Sequence, residues 1–231
     1  MKIALVQLTS SNNPSDNLIK VEGLIRKASA GGAEFVLTPE TTNVISSSRK
    51  QQAKVLHTEE YDPTLARLRD VAKELGIWLL IGSLGLKTHE EDGRFANRSF
   101  LISADGEIVA WYDKIHMFDV DLGNGEKYRE SSGYRPGTKA VLAKSDFGII
   151  GLSICYDMRF PDLYRQLAQA GAQILTVPAA FTVPTGKAHW EAILRARAIE
   201  NGCFVLAPTQ CGTHDWGVEP RRKTYGHSLA I

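Results

Sequence analysis

An α/β layered domain is the fold class predicted by the 231-residue sequence, and three observations predict it. Short apolar runs of strand character alternate along the chain with segments of helical periodicity. The runs are apolar at successive positions, as in "KIALVQL" and "IWLLIG", which marks strands covered on both faces. A content of 43% apolar and 23% charged residues suits a chain that builds one core, and no biased tract or evident linker divides it.

The elements follow in order. "KIALVQL" at 2–8 reads as a buried strand. After Pro14, the residues Leu18, Val21, Ile25 and Ala28 recur at the spacing of a helix with one covered face. "AEFVLTPE" at 33–40 is the second strand. Leu65, Leu68, Ala72 and Leu75 mark a helix stopped by Gly76, and "IWLLIG" at 77–82 is the third strand. "RSFLISADGEIVAWYD" at 98–113 predicts a hairpin turning at Asp105-Gly106, a pair suited to positive φ. Residues 119–138 read as irregular and glycine-rich. Then come "AVLAKSDFGIIGLSIC" at 140–155, a helix from about Pro161, the strand "QILTVPA", a helix over 187–200, the strand "CFVLAPTQ", and strand character in "YGHSLAI" at the end. "GAEFVLTPE" at 32–40 and "GAQILTVPA" at 171–179 echo each other. Two related halves would explain this, and so would the common use of Gly before strands and Pro after them.

Charge narrows the function classes. The net charge is +1 and the pI about 7.7, so no global field draws the chain to nucleic acid or anionic lipid. The one dense basic cluster, "EPRRK" at 219–223, reads as a solvated loop. No apolar run reaches about 18 residues, and "MKIALVQL" passes directly into polar "TSSNNPSDN" without a cleavage pattern. The expectation is a cytoplasmic protein with neither nucleic-acid nor membrane partners. Three cysteines, 155, 203 and 211, are an odd number in a large domain without a secretory signal, so free thiols are expected.

Cys155 lies where a strand-forming run gives way to a helix pattern. A thiol with a pKa near 8.5 needs a base or a positive field to become a nucleophile, and a helix start offers N–H groups and a favourable dipole that raise its thiolate fraction. A buried structural cysteine is the competing reading. Cys203 opens an apolar strand and Cys211 sits in a polar turn, so neither competes as a nucleophile. The six histidines, 57, 89, 116, 189, 214 and 227, show no pattern that marks one as a catalytic partner. Glu40 instead ends a buried strand with a carboxylate, at the strand end where α/β sheets handle ligands; a capping or solvated glutamate is the alternative. Lys114 in "AWYDKIH" ends an apolar strand with an ammonium, or is a surface charge.

"LTPE", "YDKIH" and "CYDMRFPDLYRQLA" occur in this order and resemble the three signature segments of the nitrilase superfamily of carbon–nitrogen hydrolases. The resemblance runs from residue 1 to 231 and includes "VPAAFTVPTGKAHWEAILRARAIEN" and "YGHSLAI". It is closest to the Nit-type branch of small amidases, similar to enzymes that hydrolyse deaminated glutathione and ω-amides of 2-oxo acids. It implies a four-layer αββα sandwich, one carbon–nitrogen hydrolase domain over 1–231, and a homodimer or higher homo-oligomer. It also implies a Glu-Lys-Cys triad of Glu40, Lys114 and Cys155, with a second glutamate at Glu130 in "YRESSG". Family members continue past the "HSL" strand, so this chain is expected to lack their C-terminal segment.

Amide hydrolysis by a thiol needs a nucleophile, a proton shuttle and donors at the developing oxyanion. Cys155, Glu40 and Lys114 supply one each, with the backbone N–H of Tyr156 as a second oxyanion donor. Glu130 beside Lys114 would keep the lysine charged. The expected partners are a small amide and water, and no step calls for a metal or organic cofactor; Cys-x-x-Cys and His-Glu-x-x-His spacings are absent. Arg159, four residues after the nucleophile, is a candidate for a substrate carboxylate, or else a solvated arginine. Phe181 and Thr182 in "VPAAFTVPTG" are further substrate-binding candidates. "GNGEKYRESSG" at 123–133 lacks the phosphate-loop pattern and reads as an active-site rim. Trp190, Ile193, Leu194 and Ala198 have core spacing, while Arg195 and Arg197 are surface or interface ion pairs. The expected function is an amidase for a deaminated-glutathione-like substrate. The alternatives are an ω-amidase for 2-oxoglutaramate-like substrates, an N-carbamoyl amide or nitrile hydrolase, and, outside enzymes, an inactive scaffold of the same fold.

Overall fold

The computed structural model describes residues 1–121, 123, 125, 127–215 and 221–231. The first half runs β1 (Ile3–Leu5), α1 (Pro14–Ala30), β2 (Phe35–Leu37), α2 (Arg49–Val55), α3 (Pro63–Leu75), β3 (Trp78–Leu86), β4 (Ala96–Ile102) and β5 (Ile108–Asp113). A small hairpin follows, β6 (Asp119–Asp121) and β7 (Lys127–Arg129). The second half is β8 (Val141–Ser145), β9 (Gly148–Leu152), α4 (Pro161–Gln169), β10 (Ile174–Thr176), α5 (Val183–Asn201), β11 (Phe204–Ala207), β12 (Cys211–His214), β13 (Arg222–Tyr225) and β14 (Leu229–Ala230).

Two five-stranded sheets result, ordered β1-β2-β3-β4-β5 and β14-β11-β10-β9-β8. Three neighbouring strands of each, β1-β2-β3 and β9-β10-β11, pair in parallel. Side chains alternate across the first sheet. Val36, Leu79, Ile81, Phe100 and Ile102 pack on Val21 and Ile25 of α1 and on Leu68 and Val71 of α3. Phe35, Leu37, Trp78, Leu80 and Leu101 face the other way and join Ile150, Leu152 and Leu175 of the second sheet. Leu163, Tyr164 and Leu167 of α4 and Trp190 and Leu194 of α5 complete that second cluster. The layers are therefore helix, sheet, sheet, helix, because each sheet has two apolar faces to bury.

Local chemistry explains most element ends. Asn13 caps α1 by accepting from Ser15 N, with Pro14 in the first turn. Asp62 caps α3, accepting from Leu65 N at 2.8 Å, and Gly76 ends it at φ 64°. Gly82 of β3 lies hard against the chains that leave β2 and β10: a Cβ there would lie 2.0 Å from Thr38 O and 2.5 Å from the Pro178 side chain.

Several expectations are corrected. The β4–β5 hairpin forms, but only Gly106 of its turn has positive φ; Gly106 N and Ser103 N donate to Ser103 O and Glu107 O, closing a wider loop than a two-residue turn. Residues 119–138 are not wholly irregular, since β6 and β7 pair from Asp119↔Arg129 to Asp121↔Lys127. The helix expected over 187–200 begins at Val183, because Pro184 suits a first turn. α2 and the β12–β13 hairpin were not anticipated; both are short and carry mixed polar sequence. Arg195 pairs with Glu191 at the surface, whereas Arg197 is buried, donating to Met158 O at 2.9 Å and Glu200 at 2.6 Å. No helix among the described residues is long and apolar enough to cross a membrane.

Candidate active site

Strand ends from both sheets converge on one cavity of about 380 Å³, at whose wall Glu40, Lys114, Glu130 and Cys155 meet. Glu40 follows β2 by way of Thr38 and Pro39 and is only 4% exposed. Its Oε1 accepts from Lys114 Nζ at 2.9 Å and Asn97 Nδ2 at 3.0 Å, and its Oε2 accepts from Ala180 N at 2.8 Å. Gln210 Nε2 holds the Glu40 carbonyl at 3.0 Å. Thr41, next in the chain, has φ 55°, a costly conformation for a β-branched residue. It turns the chain out of the sheet, and Ser83 Oγ accepts from its N–H at 2.8 Å.

Lys114 follows β5 directly and is 2% exposed. Its Nζ donates to Glu130 Oε2 at 2.8 Å and Oε1 at 3.1 Å, besides Glu40. Glu130 opens a 3-10 turn after β7, and its Oε2 also accepts from Phe118 N at 2.7 Å. The β6–β7 hairpin thus carries the second carboxylate to the lysine. Asn97 Nδ2 bridges Glu40 and Glu130, reaching the latter at 3.2 Å.

Cys155 opens the 3-10 turn Cys155–Arg159 after β9, with φ 49°. Asp157 secures this strained turn: it accepts from Ile154 N at 2.9 Å, Tyr112 OH at 2.7 Å and His116 N at 2.9 Å. Pro178 O accepts from Cys155 N at 2.9 Å. The geometry presents the side chain of Cys155 at the mouth of the sheet, as strained strand-to-helix turns do for nucleophiles.

The electrostatics are those of a coupled cluster. Burial alone would raise the Glu40 carboxyl, but the Lys114 ammonium and the neighbouring Cys155 thiol outweigh it and hold Glu40 below the usual carboxylate value. Burial would likewise discharge Lys114, yet Glu130 and Glu40 keep its pKa well above that of a free lysine. Burial and the Glu40 charge push the Cys155 thiol well up, with Lys114 opposing. Burial and the Glu40 charge thus oppose the raised thiolate fraction expected of Cys155, and favour a thiol whose proton Glu40 can take. The α4 helix starts only at Pro161, too far along to stabilise a thiolate against that burial.

Tyr156, Phe181 and Thr182 line the cavity, as do Arg49, Lys127, Arg129 and Arg222. Its acidic residues among those described are Glu40 and Glu130, both paired with the one ammonium of Lys114. No histidine is among its described lining residues; His116 stacks on Phe160 with ring centroids 3.6 Å apart. Arg159 is not at the lining. It packs against the rings of Tyr156 and Phe181 at 5.9 and 5.5 Å, with Nη2 3.2 Å from His189 Nδ1. "GNGEKYRESSG" contributes Lys127, Tyr128, Arg129 and Glu130 to the wall, while its Asn124 and Glu126 lie outside the described residues. Among the described residues no group of three or more His, Cys, Asp or Glu side chains is placed to hold a metal ion.

Sequence reasoning missed Asn97 and Arg222. Asn97 sits inside a strand with no motif to single it out. Arg222 belongs to "EPRRK", expected to be solvated; instead it lines the cavity, because β13 runs against the loop before α5 through a Thr182–Thr224 bridge. Glu219 and Pro220 of that cluster lie outside the described residues.

Comparison with known proteins agrees with this geometry. The carbon-nitrogen hydrolase family model matches residues 2–231. A deaminated glutathione amidase of Yersinia enterocolitica is 40% identical over 232 residues, covering 99% of this chain and 78% of the relative. One from Synechocystis is 41% identical, covering 99% and 82%. Among solved structures, the Caenorhabditis elegans NitFhit protein superimposes with a TM-score of 0.89 at 35% identity, covering 99% of this chain and 55% of that longer one. Saccharomyces cerevisiae Nit3, of branch 10 of the nitrilase superfamily, gives 0.85 at 28% identity, covering 100% and 82%. With the family model spanning nearly its whole length, this chain belongs to the carbon-nitrogen hydrolase family.

Proposed function

We propose that the chain is an amidase for a small carboxylate-bearing amide of the deaminated glutathione kind, working through a Cys155 thioester. The observation that carries this reading is the thiol, carboxylate and ammonium of Cys155, Glu40 and Lys114 together at one cavity whose other described lining charges, apart from Glu130 on Lys114, are cationic. Glu40 takes the thiol proton as sulfur attacks the amide carbon, so no free thiolate need accumulate. The oxyanion is held by the Tyr156 N–H and by Lys114, whose longest bond, 3.1 Å to Glu130 Oε1, is the one most readily exchanged. Collapse of the intermediate expels the amine, which leaves with the proton that Glu40 gained. Water then attacks the thioester, Glu40 takes its proton, and the acid departs as the thiol reforms. Glu130 keeps Lys114 charged and in place throughout.

The substrate's acyl carboxylate is assigned to the Tyr156, Phe181 and Thr182 side of the cavity, with Arg159, which packs on both rings off the lining, turning inward from His189 to serve as its cation. The names of the 40%-identical relatives support deaminated glutathione over 2-oxoglutaramate. An amidase from Nesterenkonia sp. AN1, 25% identical, supports the nucleophile, since its active-site cysteine carries the Michael addition of acrylamide in a solved variant. A cytoplasmic homo-oligomer is part of the same reading; Ile199 and Phe204, both well exposed near the end of α5, are apolar surface that a second copy would cover. The deciding experiment is amine and ammonia release from a panel of 2-oxo acid amides, nitriles and carbamoyl amino acids. Turnover of nitriles or carbamoyl compounds in place of the amides would overturn the reading.

A further inference from the structure

We propose that Arg222 selects the amine half of the substrate, donating a hydrogen bond to an oxygen carried by the departing amine. This rests on the amidase reading and adds a specificity residue to it. Arg222 opens β13, opposite His214 of β12, and its strand is tied to the loop before α5 by Tyr225 N donating to Phe181 O at 2.9 Å. Its Nη2 donates to Ala180 O at 2.8 Å. Its Nε is buried and has no hydrogen-bond partner among the described residues, although the residue lines the same cavity as Glu40 and Cys155. A buried guanidinium N–H left unpaired at a cavity wall is what an oxygen-bearing ligand would satisfy.

The two oxygens of Glu40 say which half of the substrate lies there. Oε1 accepts from two donors, Lys114 and Asn97, whereas Oε2 accepts from one, Ala180 N. Oε2 therefore has more capacity left for a proton. The oxyanion of the tetrahedral intermediate lies toward Lys114, on the Oε1 side, so the nitrogen that must collect the proton lies toward Oε2. Ala180, which holds Oε2 by its N–H and Arg222 by its carbonyl, places the guanidinium beside the path of the departing amine. The acyl half is assigned elsewhere, to the Tyr156 and Phe181 wall. An amine bearing a peptide carbonyl or a terminal carboxylate would meet the free Nε, and ammonia would not. The positive charge of Arg222 also contributes to holding Glu40 ionised.

The test compares two amides of one 2-oxo diacid, the primary amide and the amide of a dipeptide ending in a free carboxylate. kcat/KM is measured for wild type, Arg222→Gln and Arg222→Lys. The expected result is a loss on the dipeptide amide that exceeds the loss on the primary amide by roughly tenfold or more, carried mainly by KM. Arg222→Lys retains a donor for Ala180 O but has no Nε–H, so it should show the same selective loss even if Arg222→Gln folds poorly. Equal losses on both substrates would make Arg222 a strap for Ala180 and overturn the inference while leaving the amidase reading intact. Failure of wild type to hydrolyse either amide would instead remove the amidase reading, and the inference with it.

Discussion

The backbone N–H of Ala180 donates to Glu40 Oε2 at 2.8 Å across 140 positions of sequence. The bond joins the exits of β2 and β10, the central parallel strands of the two sheets, and these are the strands inside the echoing segments "GAEFVLTPE" and "GAQILTVPA". Each half of the chain thus ends a buried strand at the same place, one with the carboxylate and the other with the peptide that orients it. The nucleophile comes from β9, next to β10, so the site depends on the two sheets being in register.

Thiol chemistry follows from the raised Cys155 pKa. Cys155→Ala is expected to abolish turnover while the protein stays folded. A bulky anionic disulfide reagent at pH 7 should modify the half-exposed Cys211 before Cys155, which is buried and held as a thiol. Peptide mass spectrometry after brief treatment reads the order; prior labelling of Cys155 would contradict a resting thiol.

Glu40 and Lys114 separate by what they do. Glu40→Gln should keep substrate binding and slow both acylation and deacylation. Lys114→Met should lower kcat by roughly 10² to 10³ as an oxyanion donor is lost. It also leaves Glu40 and Glu130 buried without their cation, which is expected to cost about 3–5 kcal/mol of stability. Stopped-flow acylation and chemical denaturation check the two effects, and wild-type turnover in either variant would remove the proposed roles.

Arg159→Lys should weaken recognition of the acyl carboxylate, since a planar guanidinium offers paired donors and an ammonium does not. A loss of roughly tenfold to a hundredfold in kcat/KM is expected for a 2-oxo acid amide. The decarboxylated analogue should lose much less. Equal losses would mean that Arg159 acts only by packing on Tyr156, Phe181 and His189.

His214 gives the fold an acid-sensitive point. It is fully buried, with Nδ1 2.8 Å from Ser10 O and Nε2 2.7 Å from Thr224 Oγ1, and burial lowers its pKa from 6.5 to about 4 despite the Ser10 bond. The unfolded chain therefore binds a proton that the folded chain refuses. The neutral histidine's contribution, about 3 kcal/mol, is fully present above pH 6.5 and is lost as pH falls through 4. Denaturation midpoints between pH 7.5 and 4 should fall in wild type and fall less in His214→Asn. Parallel curves would place the acid sensitivity elsewhere.

Gly82→Ala should damage both stability and rate, because the added Cβ would meet Thr38 O, Pro39 and Pro178, the chain that leads into Glu40 and the loop that receives Cys155 N. An overpacking cost of about 1–3 kcal/mol is expected. Thermal denaturation and kcat together test it; an unperturbed variant would show that the sheets can separate there freely.

What the sequence by itself determined was local and periodic. Leu18, Val21 and Ile25 determined α1, Gly76 ended α3, and the apolar runs before Glu40, Lys114 and Cys155 placed each at a strand exit, because side-chain period and turn chemistry act over a few residues. The signature segments identified which of these exits carry chemistry. Only the tertiary structure decided the protonation of the cluster. A helix-start cysteine is expected to have a raised thiolate fraction, but enclosure beside the Glu40 charge pushes its pKa up and favours the thiol, and burial is a property of the assembled layers. The same holds for Arg222, whose basic neighbours Arg221 and Lys223 made it look solvated. Its strand packs on a loop some 40 residues earlier in the chain, donating to Ala180 O, and no local pattern records a contact between segments that far apart. Asn97 is the plainest case: an amide inside an apolar strand becomes the bridge between two carboxylates only when β4, β2 and the β6–β7 hairpin bring their ends to one cavity.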